Sequence, residues 1–404
     1  MKKAFTSLGP GLLFAGAAVG VSHLVQSTRA GAEFGFGLLW ALVLVHMFKY
    51  PFFQYGPRYA AATGETLLDG YKKLGKGVLW CYYILNFATM FTIQAAVTIV
   101  TAGLAAHLFG LSNDLVLWSA LLLAVSFGIL LLGKYNLLDK LMKYIIITLT
   151  ISTIIAVLVA MVTSKKGHSF TQIIPSGSAE LTFLIAFLGW MPAPLDVSIW
   201  HSLWTVEKDK TTFQHIKPRQ AIFDFNVGYI GTLFLGVCFL ILGAMVMFQS
   251  GQSFSSKGSV FASQLINLYT KNLGEYAHIF IGIAAFTTMF STTLTTFDAS
   301  PRAMGKASEL LHRKVKISYW FWSVVLAVGT YVILRYFMAD MGLLVRIATV
   351  LSFLTAPFYA ILNFLLISGK HTPEKYRPSK ELKLLSIAGI VFLLGFSVWF
   401  ICNL

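Results

Sequence analysis

The chain has 404 residues, is 57% hydrophobic and only 12% charged, with a mean hydropathy of +0.74. A water-soluble fold needs more polar surface than that, and long continuous apolar runs exclude an outer-membrane barrel, whose strands alternate. At this hydropathy the net charge of +15 points away from nucleic acid and toward basic loops on the cytoplasmic side of a lipid bilayer.

Eleven apolar segments follow in chain order, at approximately 8–28, 34–57, 78–110, 114–133, 138–163, 179–205, 223–249, 277–300, 317–338, 342–367 and 384–403. Most reach the roughly 20 residues that a spanning helix needs. The expected architecture is therefore an all-α polytopic membrane protein with 11 transmembrane helices and no sizeable soluble domain. The opening "MKKAFTSLGPGLLFAGAAVG" has signal-peptide features, but its apolar run continues into segment 1, which predicts a span rather than a cleaved leader.

Lys and Arg set the orientation. With the N-terminus inside, the cytoplasmic loops collect "GYKKLGKG", "GKYNLLDK", "EKDKTTFQHIKPR", "PRAMGKASELLHRKVK" and "KHTPEKYRPSKELK". Only Arg29, Lys165, Lys166, Lys257, Lys271, Arg335 and Arg346 fall on the other side, and Lys49 lies inside a segment. This predicts a cytoplasmic (inner) membrane protein with its N-terminus inside and C-terminus outside. Cys81, Cys238 and Cys402 lack metal-ligand spacing and read as packing residues. There is no Walker motif, no His-Glu-x-x-His and no useful Ser-His spacing, so neither an enzyme nor a cofactor is expected.

Segments 1 and 6 are unusual. "GPGLLFAGAAVGVSH" is rich in glycine, and "GWMPAPLD" places Pro192, Pro194 and Asp196 within five positions. Proline removes a backbone donor and glycine permits unwinding. Carbonyls freed at membrane depth are tolerated only where they line a cavity or meet a ligand. Each interrupted segment heads a block of five. That is the signature of an inverted-repeat transporter whose substrate binds at the breaks. The expected repeats are 8–163 and 179–367, with 384–403 as an extra helix. Two ordinary kinked helices are the plain alternative.

These stretches, with "AGAEFGFGLLW", "GPRYAAATGETLLDGY", "TAGLAAHLFG" and "STTLTTFDASPRAMG", resemble the Nramp family of divalent metal-ion transporters over most of the chain. The resemblance implies a five-plus-five inverted repeat of the LeuT type, with discontinuous helices 1 and 6. The family's Asp-Pro-Gly-Asn in segment 1 falls on Gly20, Val21, Ser22 and His23. Its Met-Pro-His in segment 6 falls on Met191, Pro192 and Ala193, and the acids of its proton route in segment 3 fall on Gln94 and Val97. The fold carries over well and the ion chemistry poorly.

Asp196 is the leading candidate, because an intramembrane carboxylate is costly unless used or paired. It could ligate a cation, accept a proton, or cap the second half of segment 6. His23 follows the first break and could ligate a metal or titrate. The Met191 thioether is a soft ligand, so Met191, Asp196 and His23 form a tentative metal set, with Gly20, Ser22 and Ala193 beside them. Lys49, with His46 three residues before it, is a buried cation that needs an acid such as Asp196 or Asp298, unless it snorkels or cycles its proton. Lys49, His46, Gln94 and His201 are the candidate positions of a coupling proton relay. Arg29 with Glu33, and Asp298 with Arg302, are candidate gates or local pairs.

Two readings stand. One is a secondary transporter of a small cation, a divalent metal by family resemblance, in symport with protons. The other keeps the fold for a small organic solute, because the segment 1 acid is absent and a lysine is buried. Function as a monomer is expected in both.

Overall fold

The computed structural model describes residues 9–163, 169–212, 216–248, 255, 260, 263–267, 277–312, 318–336 and 341–402. Lys2, Lys3, Lys165, Lys166, Lys257, Lys271, Arg313, Lys314 and Lys316, which bear on orientation, lie outside these residues. Regular structure among the described residues is helical throughout.

Segment 1 is split into α1 (Pro10–Ala18), a π-helical stretch Val21–Ser27, and α2 (Thr28–Phe34). Segment 2 is α3 (Leu39–Thr63), which carries Pro51 and Pro57 within it. A short amphipathic α4 (Leu67–Leu74) follows, opened by a Thr66–Asp69 capping box. Segment 3 is α5 (Lys76–Phe109). Segments 4 and 5 were expected to be separated near residues 134–137, but the backbone is helical through α6 (Leu115–Thr163), 49 residues in all. "LLGKYNLLDKLMK" contains one glycine, no proline and many strong helix formers, so nothing local ends the helix. Its two apolar windows, Leu115–Leu132 and Met142–Val162, each suffice to cross a bilayer.

Segment 6 is split into α7 (Ser178–Trp190) and α8 (Val197–Thr212). Then come α9 (Pro218–Val246), α10 (Ala277–Leu311), α11 (Tyr319–Tyr336), α12 (Met341–Ser368) and α13 (Lys380–Cys402). Among the described residues, seven helices are long and apolar enough to cross a membrane by length and composition. Several expected segments fall short because they are broken or polar: α7 has 13 residues, and α10 carries Thr and Ser in every turn from 287 to 296.

The split helices lie at the centre. α1 and α2 pack on α9, α7 on α12, α8 on α3, and α5 on α10. Large apolar side chains such as Leu132, Ile155, Leu158, Val391 and Val398 face outward. In water such a surface would drive association, whereas in lipid it is the solvated face.

Candidate substrate site at the two helix breaks

The first break falls at Val19 and Gly20, where the backbone leaves helical geometry (Gly20 φ −142°, ψ −123°). Its freed carbonyls are claimed by the protein itself. The Thr292 hydroxyl donates to the Gly16 carbonyl at 3.1 Å. The Ala18 carbonyl receives the Ser22 hydroxyl and lies 3.0 Å from His23 Nδ1. His23 is fully buried, with Nδ1 also 2.7 Å from Ser22 Oγ and Nε2 3.0 Å from the Thr232 carbonyl. Both imidazole nitrogens are therefore engaged, and neither is free to ligate a metal here.

The second break runs from Met191 to Asp196. Leu188 would normally accept from residue 192, but Pro192 has no N–H, and the Met191–Pro192 bond is cis. Val197 N–H turns back to the Pro194 carbonyl at 3.1 Å, which frees that of Ala193. Lys49, fully buried on α3, fills the gap: its Nζ donates to the carbonyls of Leu188 at 2.7 Å, Gly189 at 2.7 Å and Ala193 at 3.4 Å. Lys49 does not snorkel, and the carboxylate of Asp298 is committed elsewhere, to Arg302. The Met191 thioether accepts the Ser27 hydroxyl at 3.6 Å, which ties the two breaks together.

Between the breaks is a small cavity of about 20 Å³. Ala18, Ser22, Val97, Pro194, Thr292 and Thr296 are among its walls. It is large enough for about one water. Gln94 stands behind it, with Oε1 accepting from Thr296 at 2.7 Å and Nε2 donating to Thr98 at 3.2 Å and to the Thr293 carbonyl at 3.3 Å.

Asp196 immediately precedes α8, and its carbonyl accepts from Ile199 at 2.8 Å, so it sits at the positive end of that half-helix. It is buried, and its Oδ1 has no hydrogen-bond partner. It lies in the electrostatic range of Lys49, Tyr71, Tyr82 and Tyr359 rather than beside His23. His201 has neither ring nitrogen bonded and stacks on Phe14 at 5.7 Å. His46 Nδ1 is 2.7 Å from the Leu42 carbonyl of its own helix, while Nε2 is unpartnered. His46 and His23 meet edge to face at 6.4 Å. Among the described residues, no three of His, Cys, Asp and Glu are grouped closely enough to cage a metal ion.

The two candidate gates lie at opposite ends. Arg29 pairs with Glu33 at 2.9 Å on one turn of α2, at the rim of a vestibule of about 310 Å³ that Glu180 and Arg346 also line. At the other end, Arg302 binds Asp298 at 2.8 Å and Glu207 at 3.6 Å. Trp204 Nε1 and the Tyr319 hydroxyl also donate to Asp298, each at 3.1 Å, so α8, α10 and α11 are tied together there.

Sequence reasoning missed Asp224, whose carboxylate accepts from Gly9 at 3.0 Å and Gly11 at 2.8 Å and so caps α1 from α9. The signal was present: an acid in an apolar segment. It also missed Thr292 and Thr296, spaced four apart on one face of α10, which wall the cavity.

Two interrupted helices meeting in a bundle of spanning helices define a transporter fold, not an enzyme. The model of the family "Natural resistance-associated macrophage protein-like" (Nramp) matches residues 11–403. The chain belongs to the Nramp family. It is 37% identical over 408 residues to an uncharacterized protein of Pasteurella multocida, covering 99% of this chain and 92% of that one. Its fold is similar to that of the Eremococcus coleocola manganese transporter, with TM-score 0.69, 14% identity, and 100% and 95% of the two chains covered. It is also similar to MhsT, solved with L-phenylalanine, with TM-score 0.64, 14% identity and 98% of each chain covered. These likenesses establish the five-plus-five LeuT-type fold.

Proposed function

We propose that this protein is a secondary active transporter that works by alternating access and moves a small cation past the breaks in segments 1 and 6. The observation that carries this reading is the meeting of the two breaks around a small cavity. Alternating access then consists of moving α1, α2, α7 and α8 against the scaffold of the other helices. The proposed repeats are 8–163 and 179–367. The proposed setting is the cytoplasmic membrane, with the N-terminus inside.

Family membership, together with the Eremococcus transporter's manganese, supports a divalent metal as cargo. Asp196, with its unpartnered Oδ1, and Met191 are the residues to hold it, and proton coupling would run through Asp196 and Lys49. The second reading, a small organic solute with a carboxylate, is favoured by one specific observation: the Lys49 ammonium sits at the second break and repels a dication.

Uptake into proteoliposomes separates the two. Mn²⁺, Zn²⁺ and Mg²⁺ are offered alongside a panel of radiolabelled amino and carboxylic acids. Accumulation of a metal alone supports the first reading, and accumulation of an organic acid alone supports the second. Asp196→Asn is expected to abolish metal uptake, and full retained uptake would remove Asp196 from the site.

A further inference from the structure

The Lys49 contacts carry more than a preference between cargoes. Three carbonyl oxygens converge where α7 ends, and the negative end of that half-helix dipole points at the same place. In broken-helix transporters, unwound carbonyls and half-helix C-terminal ends are the groups that coordinate a free coupling cation. An ammonium has three donors and no acceptor, so it matches three carbonyls one to one. Lys49 is fully buried and makes no ion pair with a carboxylate among the described residues, so these carbonyls are its binding site.

We infer that Lys49 is a resident, covalently tethered cation that occupies the carbonyl site of the second break, so that the transport cycle requires no free alkali-metal co-ion. The inference rests on the alternating-access reading but not on the identity of the cargo. The butyl stem from α3 holds the charge against α7 in place of diffusion and rebinding. It also links the scaffold helix α3 to the moving half-helix through bonds that do not depend on the external salt.

Lys49→Ala tests this, because it removes the three methylenes and the ammonium that n-propylammonium would replace. Uptake by the variant is expected to fall about tenfold or more, the scale of a lost charge-assisted hydrogen bond. Millimolar n-propylammonium, or Na⁺ or K⁺, should restore it, and n-propanol should not. In detergent, the melting temperature of the variant should rise by ~2 °C or more with n-propylammonium, while the wild type does not respond. Lys49→Met, which keeps the volume without the charge, should fold and stay inactive with any of these additions. Wild-type uptake should be the same in Na⁺, K⁺ and choline. A folded Lys49→Ala protein that neither melts higher nor recovers with any cation overturns the inference, as does a wild type that needs Na⁺ or K⁺. The melting assay uses no cargo. A wild type that transports nothing on the panel therefore counts against the transport reading and leaves this test standing.

Discussion

At the residue scale, the molecule shows how closely small side chains let helices approach. A Cβ on Gly31 would fall against the Leu240 carbonyl, and one on Gly243 against the Thr28 carbonyl, so the two glycines face each other across the contact of α2 with α9. Gly228 meets the carbonyl of Gly11 in the same way at the other end of α9. In lipid, where there is no hydrophobic drive between helices, such backbone contacts supply much of the association. Gly243→Ala is expected to cost about 1–3 kcal/mol, because the neighbour is backbone and cannot move aside. A detergent melting curve checks it, and an unchanged midpoint would mean that the helices are not this close. The candidate residues themselves were unevenly legible. Asp196 and Lys49 stood out because an ionisable group in an apolar run is costly unless it is paired, capped or used. That Lys49 binds carbonyls and that His23 spends both nitrogens on the protein could not be read from the chain. Each partner lies far away in sequence: Thr232 is 209 positions from His23, and Gly189 is 140 from Lys49.

At the element scale, the stretches that hold the breaks in segments 1 and 6 were legible, because proline and glycine act on their own backbone. The separation of segments 4 and 5 was not. A basic polar run reads as a loop, whereas Leu, Lys and Asp between two helices can equally continue one. The end of the molecule that holds Asp298 depends on elements brought together only by folding. Arg302 is on the same helix, four residues on, but Trp204 and Tyr319 arrive from α8 and α11. The cluster holds α8 against the scaffold, so it should control access to the cavity from that side. With Thr296→Cys as a reporter in the cavity wall, adding Asp298→Asn is expected to raise several-fold the rate at which a positively charged thiosulfonate forms a mixed disulfide with it, releasing sulfinate. An unchanged rate would make the cluster a static brace.

At the scale of the whole molecule, charge and shape agree on a direction. The proposed inner end carries the Arg302 cluster and a Lys306–Asp69 bridge of 3.0 Å between α10 and α4. The opposite end opens into the vestibule between α2, α7 and α12, with Arg29, Glu33, Glu180 and Arg346 on its walls. Gln26, in the π-helical stretch that follows the first break, also lines that vestibule, and its Oε1 is buried without a partner. The proposed alternating access would use these two features in turn, the vestibule as the opening on one side and the Arg302 cluster as the barrier on the other. Were the Lys and Arg bias misleading, the same two features would lie on the wrong faces of the bilayer for uptake. In a background without Cys81, Cys238 and Cys402, Lys375→Cys and Asp114→Cys place reporters in the connections after α12 and before α6. An impermeant maleimide is expected to label Asp114→Cys in right-side-out vesicles and Lys375→Cys only in inside-out ones. The reverse pattern would invert the molecule and turn the vestibule into an exit, and uptake could no longer be inferred from its position.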